Sequence, residues 1–129
     1  MRKRMTWLLM TSITVSLWYG GTLTVAAEES DTLGKILFLQ THNNNSFMSY
    51  MGEVFQETAQ EYGFEVDHLT ADSDEGKQLS QIEQGVASGE YVGIICDCTG
   101  EGVTQGFKEA KEAGMYVMTL HEGVQDNTY

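Results

Sequence analysis

The stretch that decides the fold is KILFLQ, residues 35–40, followed by the polar loop THNNNSFM at residues 41–48. The run of apolar residues from Ile36 to Leu39 is typical of a strand buried on both faces of a parallel sheet. Similar apolar runs recur at residues 64–69, 92–96 and 116–120. The sequence therefore predicts four buried strands.

Three segments with helical periodicity separate these strands. In each, apolar residues recur every three or four positions, and Gly63, Gly89 or Gly114 follows as a helix stop. The apolar positions are Phe47, Met51, Val54, Phe55, Thr58 and Tyr62, then Leu79, Ile82 and Val86, then Val103, Phe107, Ala110 and Ala113. Helices that connect apolar strands predict an α/β, Rossmann-like parallel sheet, for which we expect the strand order 2-1-3-4. Ligands of such sheets bind at the carboxyl ends of the strands.

The first residues have the pattern of an export signal. Arg2, Lys3 and Arg4 precede a stretch from Met5 to Ala27 that contains no charged residue and ends on small side chains. We therefore predict a signal peptide at residues 1–27, a short linker at 28–34 and a folded lobe at 35–129. An uncleaved membrane anchor is the alternative, because such a run could just cross a bilayer of about 30 Å.

Composition excludes several classes of function. The 129 residues include 19 acidic and 7 basic side chains, a net charge of −12, whereas nucleic-acid binding requires clustered Lys and Arg. No phosphate-binding loop, nucleophile elbow or defensible catalytic triad is present, so the sequence predicts neither an enzyme nor a cofactor. Gly100, Gly102 and Gly106 fail the dinucleotide-binding spacing and are assigned to turn geometry.

The order of the segments resembles a known family. After the export signal come KILFLQ at 35–40, NSFM at 45–48, EYGFEV at 61–66, LTADSDEGKQLSQIEQGVASG at 69–89, VGIICD at 92–97 and EAGMYVMTL at 112–120. This order resembles the sugar-binding periplasmic proteins of the ribose-binding type. The resemblance implies the amino-terminal lobe of a solute receptor. Because chains of that family carry a second lobe, we expect this sequence to be a truncated or fragmentary receptor.

The resemblance also implies partners and a location. They are a monosaccharide or related small solute, an ABC permease at the membrane, and the periplasm or the extracellular face of the cell envelope. Two alternatives stay open at this point. The chain could be a ligand-sensing module for a membrane kinase or chemoreceptor, or a non-functional gene fragment.

Five residues are candidate ligand contacts: Asn45, Phe47 and Met48 after the first strand, and His121 and Glu122 after the fourth. Sugars are bound by planar amides and carboxylates, which pair with hydroxyl groups, and by aromatic faces, which cover the apolar side of the ring. Three of the candidates have a structural alternative, whereas pocket lining is favoured for Met48. Asn45 could cap a helix, Phe47 could pack in the core, and Glu122 could be a solvated loop residue.

This sequence departs from the family motif at two places in these loops. Ser46 stands where the family has a loop proline, and His121 with Glu122 stand where it has an acid and an arginine. The identity of the sugar is therefore open.

The cysteines allow two interpretations. Export to an oxidising compartment favours a disulfide between Cys96 and Cys98, but residues two apart on a strand close a strained ring, so free thiols are expected. A Zn²⁺ site formed by His42, Cys98 and His121, with Asp97 nearby, is a minor alternative. The non-local spacing of these residues argues against it, and the sequence predicts no metal.

Overall fold

The computed structural model describes residues 32–120, which form a four-stranded parallel sheet with helices on both faces. The elements are β1 (Gly34–Gln40), α1 (Ser46–Glu61), β2 (Phe64–Thr70), α2 (Glu75–Ser88), β3 (Tyr91–Cys96), a 3₁₀ turn (Glu101–Val103), α3 (Thr104–Glu112) and β4 (Tyr116–Thr119). The strand order is β2-β1-β3-β4, so the predicted α/β fold and its strand order are confirmed. The predicted signal peptide, most of the linker, and His121 with Glu122 lie outside the described residues.

The central position of β1 explains its composition. It pairs in parallel with β2 along its whole length and with β3 from Lys35 to Leu39. Between Lys35 and Ile36 the register with β3 shifts, because Lys35 pairs with Tyr91 and Ile36 pairs with Gly93. The last four residues of β1 are all buried. KILFLQ is thus the middle of the sheet.

The helices end where the sequence predicts. Gly63, Gly89 and Gly114 have φ values of 86°, 68° and 85°. This left-handed region is strained for residues that carry a Cβ atom, so glycine is favoured where the chain leaves a helix to enter the next strand.

One face of the sheet is closed by α2 and α3. Its core combines Ile82, Phe107 and Ala110 from the helices with residues from β1, β3 and the connecting segments, namely Leu37, Leu39, Ile94, Cys96, Cys98, Val103 and Met115. The helices approach closely, since a Cβ atom at Gly106 would lie 2.7 Å from Ile82 Cγ2. We call this side the closed face.

The opposite side, which we call the half-covered face, carries only α1. Phe55 of α1 packs on Phe38 of β1 with ring centroids 4.2 Å apart. On β4, in contrast, Tyr116 is 82% exposed and Met118 is 56% exposed. The prediction that every strand is buried on both faces is therefore wrong for β4, because no helix within residues 32–120 covers this side of β3 and β4. It is also wrong for the edge strand β2, which has no buried residue.

Helix α1 is also rotated relative to its predicted face. Its buried residues are Met48, Gly52 and Ala59, whereas Phe47 and Tyr62 of the predicted apolar stripe are exposed. Small side chains let the helix backbone lie close to the sheet. At Gly52 a Cβ atom would come within 2.7 Å of the His68 ring. Within residues 32–120, no helix combines the length and hydrophobicity that a membrane crossing requires.

Candidate functional site

The carboxyl ends of β1, β2 and β3 meet at one edge of the sheet, as parallel strands must. Backbone hydrogen bonds join the loops that leave this edge. Ala71 N donates to Gln40 O at 2.9 Å, Asp97 N donates to Leu39 O at 2.8 Å, and Ser73 N donates to Thr41 O at 2.8 Å. The three loops therefore form one connected rim, which is the candidate binding site.

Asp97 ties the first loop to the third. Its side chain is almost fully buried, and its Oδ2 accepts a hydrogen bond from Thr41 N at 3.3 Å. Thr41 Oγ1 donates in turn to the backbone oxygen of Asp97 at 3.0 Å. This double contact fixes the start of the loop that leads to Asn45. A buried carboxylate at this position therefore has a positioning role.

Gln78 of α2 holds the third loop in place through hydrogen bonds from its side chain. It is fully buried; its Nε2 donates to Asp97 O at 2.9 Å, and its Oε1 accepts from both the amide and the hydroxyl of Thr99 at 2.8 Å. Sequence reasoning missed this residue. The available signal was its position one helical turn before Ile82, which places an amide on the buried face of α2.

A second polar network lies beneath α1. Gln40 Nε2 donates to Met48 O at 3.0 Å, so Gln40 Oε1 faces His68 Nε2, 2.6 Å away. Gln56 Nε2 lies 3.2 Å from His68 Nδ1. These contacts fit a neutral imidazole that donates from Nε2 and accepts at Nδ1. Burial lowers the pKa of His68, which favours the same neutral form.

The first-loop candidates separate into an exposed pair and a buried residue. Asn45 is the N-cap of α1, and its Oδ1 accepts from Met48 N at 2.9 Å, so the capping alternative is confirmed. Phe47 is 66% exposed, so core packing does not explain it. Met48, in the first turn of α1, has a buried side chain. Their roles as ligand contacts stay predictions. An open polar depression lies beside them, lined by Asn43, Asn44, Asn45, Ser46, Ser49, Tyr50 and Glu53.

The second loop has an unusual backbone. Asp72 and Ser73 have φ values of 54° and 61°, although neither is glycine. An ion pair of 2.6 Å between Lys77 Nζ and Asp72 Oδ2 supports this turn and lowers the pKa of Asp72. Asp74 then caps α2 by accepting from Lys77 N at 2.8 Å. The loop is held in place by its own side chains.

The glycines of the third loop surround a carboxylate of the chain itself. Glu75 Oε1 accepts from Gly102 N at 2.6 Å, and a Cβ atom at Gly102 would lie 2.7 Å from the Glu75 carboxyl carbon. Neither glycine has a φ in the left-handed region, so the close approach of Glu75, and not the predicted turn geometry, favours residues without a side chain at Gly100 and Gly102.

The zinc alternative involves two described residues, His42 and Cys98, and a third that lies outside them. Residues 32–120 contain no group of three metal-ligating side chains. Cys98 lies in the core of the closed face, and His42 Nδ1 is buried without a partner among these residues. His121 lies outside them, so the complete set of three is not tested.

Solved structures with the same fold are solute-binding proteins. A periplasmic ribose ABC transporter protein from Conexibacter woesei is 24% identical with a TM-score of 0.69, and the match covers 78% of this chain and 34% of that one. An ABC transporter periplasmic solute binding protein from Actinobacillus succinogenes, with bound D-allose, is 18% identical with a TM-score of 0.67, covering 71% and 33%. LsrB from Clostridium saccharobutylicum, in complex with AI-2, is 26% identical with a TM-score of 0.65, covering 70% and 28%.

The chain therefore spans about a third of the length of these proteins. A search of curated proteins finds no match. The profile of the periplasmic binding protein domain matches residues 36–128, which is most of the sequence and includes all four strands except the first two residues of β1. With the strand order, the connected loops at the carboxyl edge and this match, the chain belongs to the periplasmic binding protein domain family.

Proposed function

We propose that the chain is the amino-terminal lobe of an exported solute-binding protein that binds a sugar and delivers it to an ABC importer. The observation that carries this proposal is the family match over residues 36–128. The position of the Asn45–Phe47 segment, between the end of β1 and the first turn of α1, supports a role in binding. The basic start and uncharged run at residues 2–27 support export. The protein acts by binding, and the permease carries out transport.

The rim offers the two kinds of contact that a sugar needs. Phe47 presents an exposed ring at the start of α1, and the Asn45 amide lies two residues before it. Capping uses only the Oδ1 atom of Asn45, so the Nδ2 group is available to donate to a hydroxyl. Asp97 and Thr41 fix the base of this loop, which lowers the entropic cost of ordering it on binding.

The described lobe presents this rim as an open surface. A pocket that binds a small molecule tightly usually encloses most of the ligand surface, whereas the depression beside Asn45 is open to solvent. We therefore expect the isolated chain to bind a monosaccharide no more tightly than the millimolar range.

The experiment is an amide NMR titration of the purified chain with D-ribose and D-allose. We expect shifts confined to residues 41–48 and 97–100, with weak, saturable affinity. Phe47→Ala should reduce the shifts because it removes the aromatic face. Asn45→Asp keeps an oxygen for the helix cap and removes the amide donor, so it should weaken binding without unfolding α1.

Tyr62→Ala is the matched control, since Tyr62 is an equally exposed aromatic residue at the other end of the same helix. It should leave the shifts unchanged. The proposal of sugar binding at this rim fails if saturating sugar leaves these loops unperturbed, or if Tyr62→Ala and Phe47→Ala have the same effect.

A further inference from the structure

Two cysteines lie where β3 enters the candidate site. Cys96 is the last residue of the strand and Cys98 follows it in the loop. Because side chains two residues apart point to the same face of a strand, both belong to the core of the closed face, with exposures of 0% and 8%. Cys98, in the third loop of the rim, is the more accessible of the two.

The two thiols also interact with each other. Cys98 Sγ donates to the backbone oxygen of Cys96 at 3.9 Å, and each thiol shifts the pKa of the other. The interaction with the Cys98 thiol, followed by burial, raises the pKa of Cys96, whereas the interaction with the Cys96 thiol lowers the pKa of Cys98. A neighbouring thiol that donates to Cys98 stabilises its thiolate, which is the form that attacks disulfides.

We propose that Cys96 and Cys98 are a reversible dithiol–disulfide pair built into the third loop of the binding rim. Neighbouring Cα atoms of a strand rise about 3.2–3.4 Å per residue, so cysteines two apart lie near the upper limit of the roughly 4.4–6.8 Å that a disulfide spans. Cys98 lies beyond the strand, where the backbone can shorten. The resulting bridge is strained and therefore easily reduced again.

The oxidant is a small disulfide such as oxidised glutathione. The Cys98 thiolate attacks one of its sulfur atoms, forms a mixed disulfide and releases one glutathione thiolate. The Cys96 thiol then loses its proton, and its sulfur attacks that of Cys98 and releases the second glutathione thiolate. The pair thus loses two electrons and two protons, and the oxidant is reduced to two glutathione molecules.

Ring closure acts on the rim through Asp97, which lies between the two cysteines. Asp97 N donates to Leu39 O at 2.8 Å, and Asp97 O accepts from Thr41 Oγ1 and from Gln78. Pulling the two Cα atoms together turns the peptide groups that make these bonds. Oxidation should therefore loosen the link between the first and third loops.

The test is mass spectrometry of the full chain, equilibrated in EDTA with mixtures of reduced and oxidised glutathione and then alkylated after acid quenching. In reducing mixtures we expect two alkyl groups. In oxidising mixtures the folded monomer should carry none, and its mass should be lower by two hydrogen atoms. Far-UV circular dichroism checks that the chain stays folded, and hydrogen exchange should become faster at the amides of Thr41 and Asp97.

Cys96→Ser and Cys98→Ser are the controls. Cys96→Ser should stop at a glutathione adduct on Cys98, whereas Cys98→Ser should keep its fully buried Cys96 unmodified. The proposal is overturned if the folded wild-type chain keeps two alkylatable thiols in oxidising mixtures, or forms only adducts or linked dimers. Unchanged exchange at Thr41 and Asp97 in the bridged form would overturn the coupling to the rim. The chemistry is measured on purified protein, so it can fail while the proposed sugar binding holds, and the reverse is equally possible.

Discussion

The two faces of the sheet differ in how much of each is covered by helices. On the closed face, α2 and α3 bury Phe107 and Ile82 completely. On the half-covered face, α1 protects β1 and β2 but leaves Tyr116 of β4 largely exposed. The same kind of apolar strand therefore contributes to a dry core on one side and to an open surface on the other.

The polar networks follow the same division. Gln78 is fully buried at the edge of the closed face and holds the third loop. His68 is partly accessible on the half-covered face and bonds Gln40 and Gln56. Because Gln78 is fully buried, loss of its hydrogen bonds should lower the free energy of unfolding. Because His68 is only partly buried, it can take up a proton, and its network should respond to pH. Three expected results would sharpen or break this contrast.

The largest effect should come from truncating an aromatic residue on each face. Phe107→Ala leaves a cavity in the closed face and should lower the free energy of unfolding by about 3–5 kcal/mol. Phe47→Ala, the matched variant on α1, should change it by about 0.5 kcal/mol or less because the ring is exposed. Urea denaturation measures both. Equal losses would show that the described core does not carry the stability of the lobe.

An intermediate effect is expected from the buried amide. Gln78→Ala leaves Thr99 N and Asp97 O without this partner and should cost about 1–3 kcal/mol. Gln84→Ala is the control, because Gln84 is exposed on the same helix. The same denaturation experiment reports the difference, and hydrogen exchange at Thr99 should become faster only in the Gln78 variant. If the two variants are equally stable, Gln78 is not an anchor.

The smallest effect should be a pH dependence on the half-covered face. Burial lowers the pKa of His68 from its ordinary value of 6.5, so the unfolded chain binds a proton more readily than the folded one. Stability should therefore be full above pH 6.5, fall as the pH drops toward the lowered pKa, and level off below it. His68→Gln should flatten this part of the curve of unfolding free energy against pH. A wild-type curve that rises on acidification through this range would contradict the assignment of a neutral, buried imidazole.

The sequence by itself determined the strands and the helix stops, because these follow from local patterns, and the strand order followed from the fold class. KILFLQ has the apolar run of a central strand, and Gly63, Gly89 and Gly114 ended the helices since their backbone angles favour residues without a side chain. The family resemblance was likewise confirmed, because it rests on the order of such segments along the chain. Capping by Asn45 was among the expected alternatives for the same local reason.

Only the tertiary structure decided which apolar residues are buried and which polar ones hold the rim. The apolar stripe of α1 predicted the buried face only in part, since Phe55 packs on Phe38 while Phe47 and Tyr62 are exposed. Periodicity fixes which residues share a side but not how that side is turned toward the sheet, and Gly52 is where the helix comes close to His68. The links from Gln78 and Thr41 to Asp97 join residues far apart in sequence, so no local pattern contains them. Whether an apolar strand is covered depends on the helices that pack over it, which is why β4 is exposed on one face despite its composition.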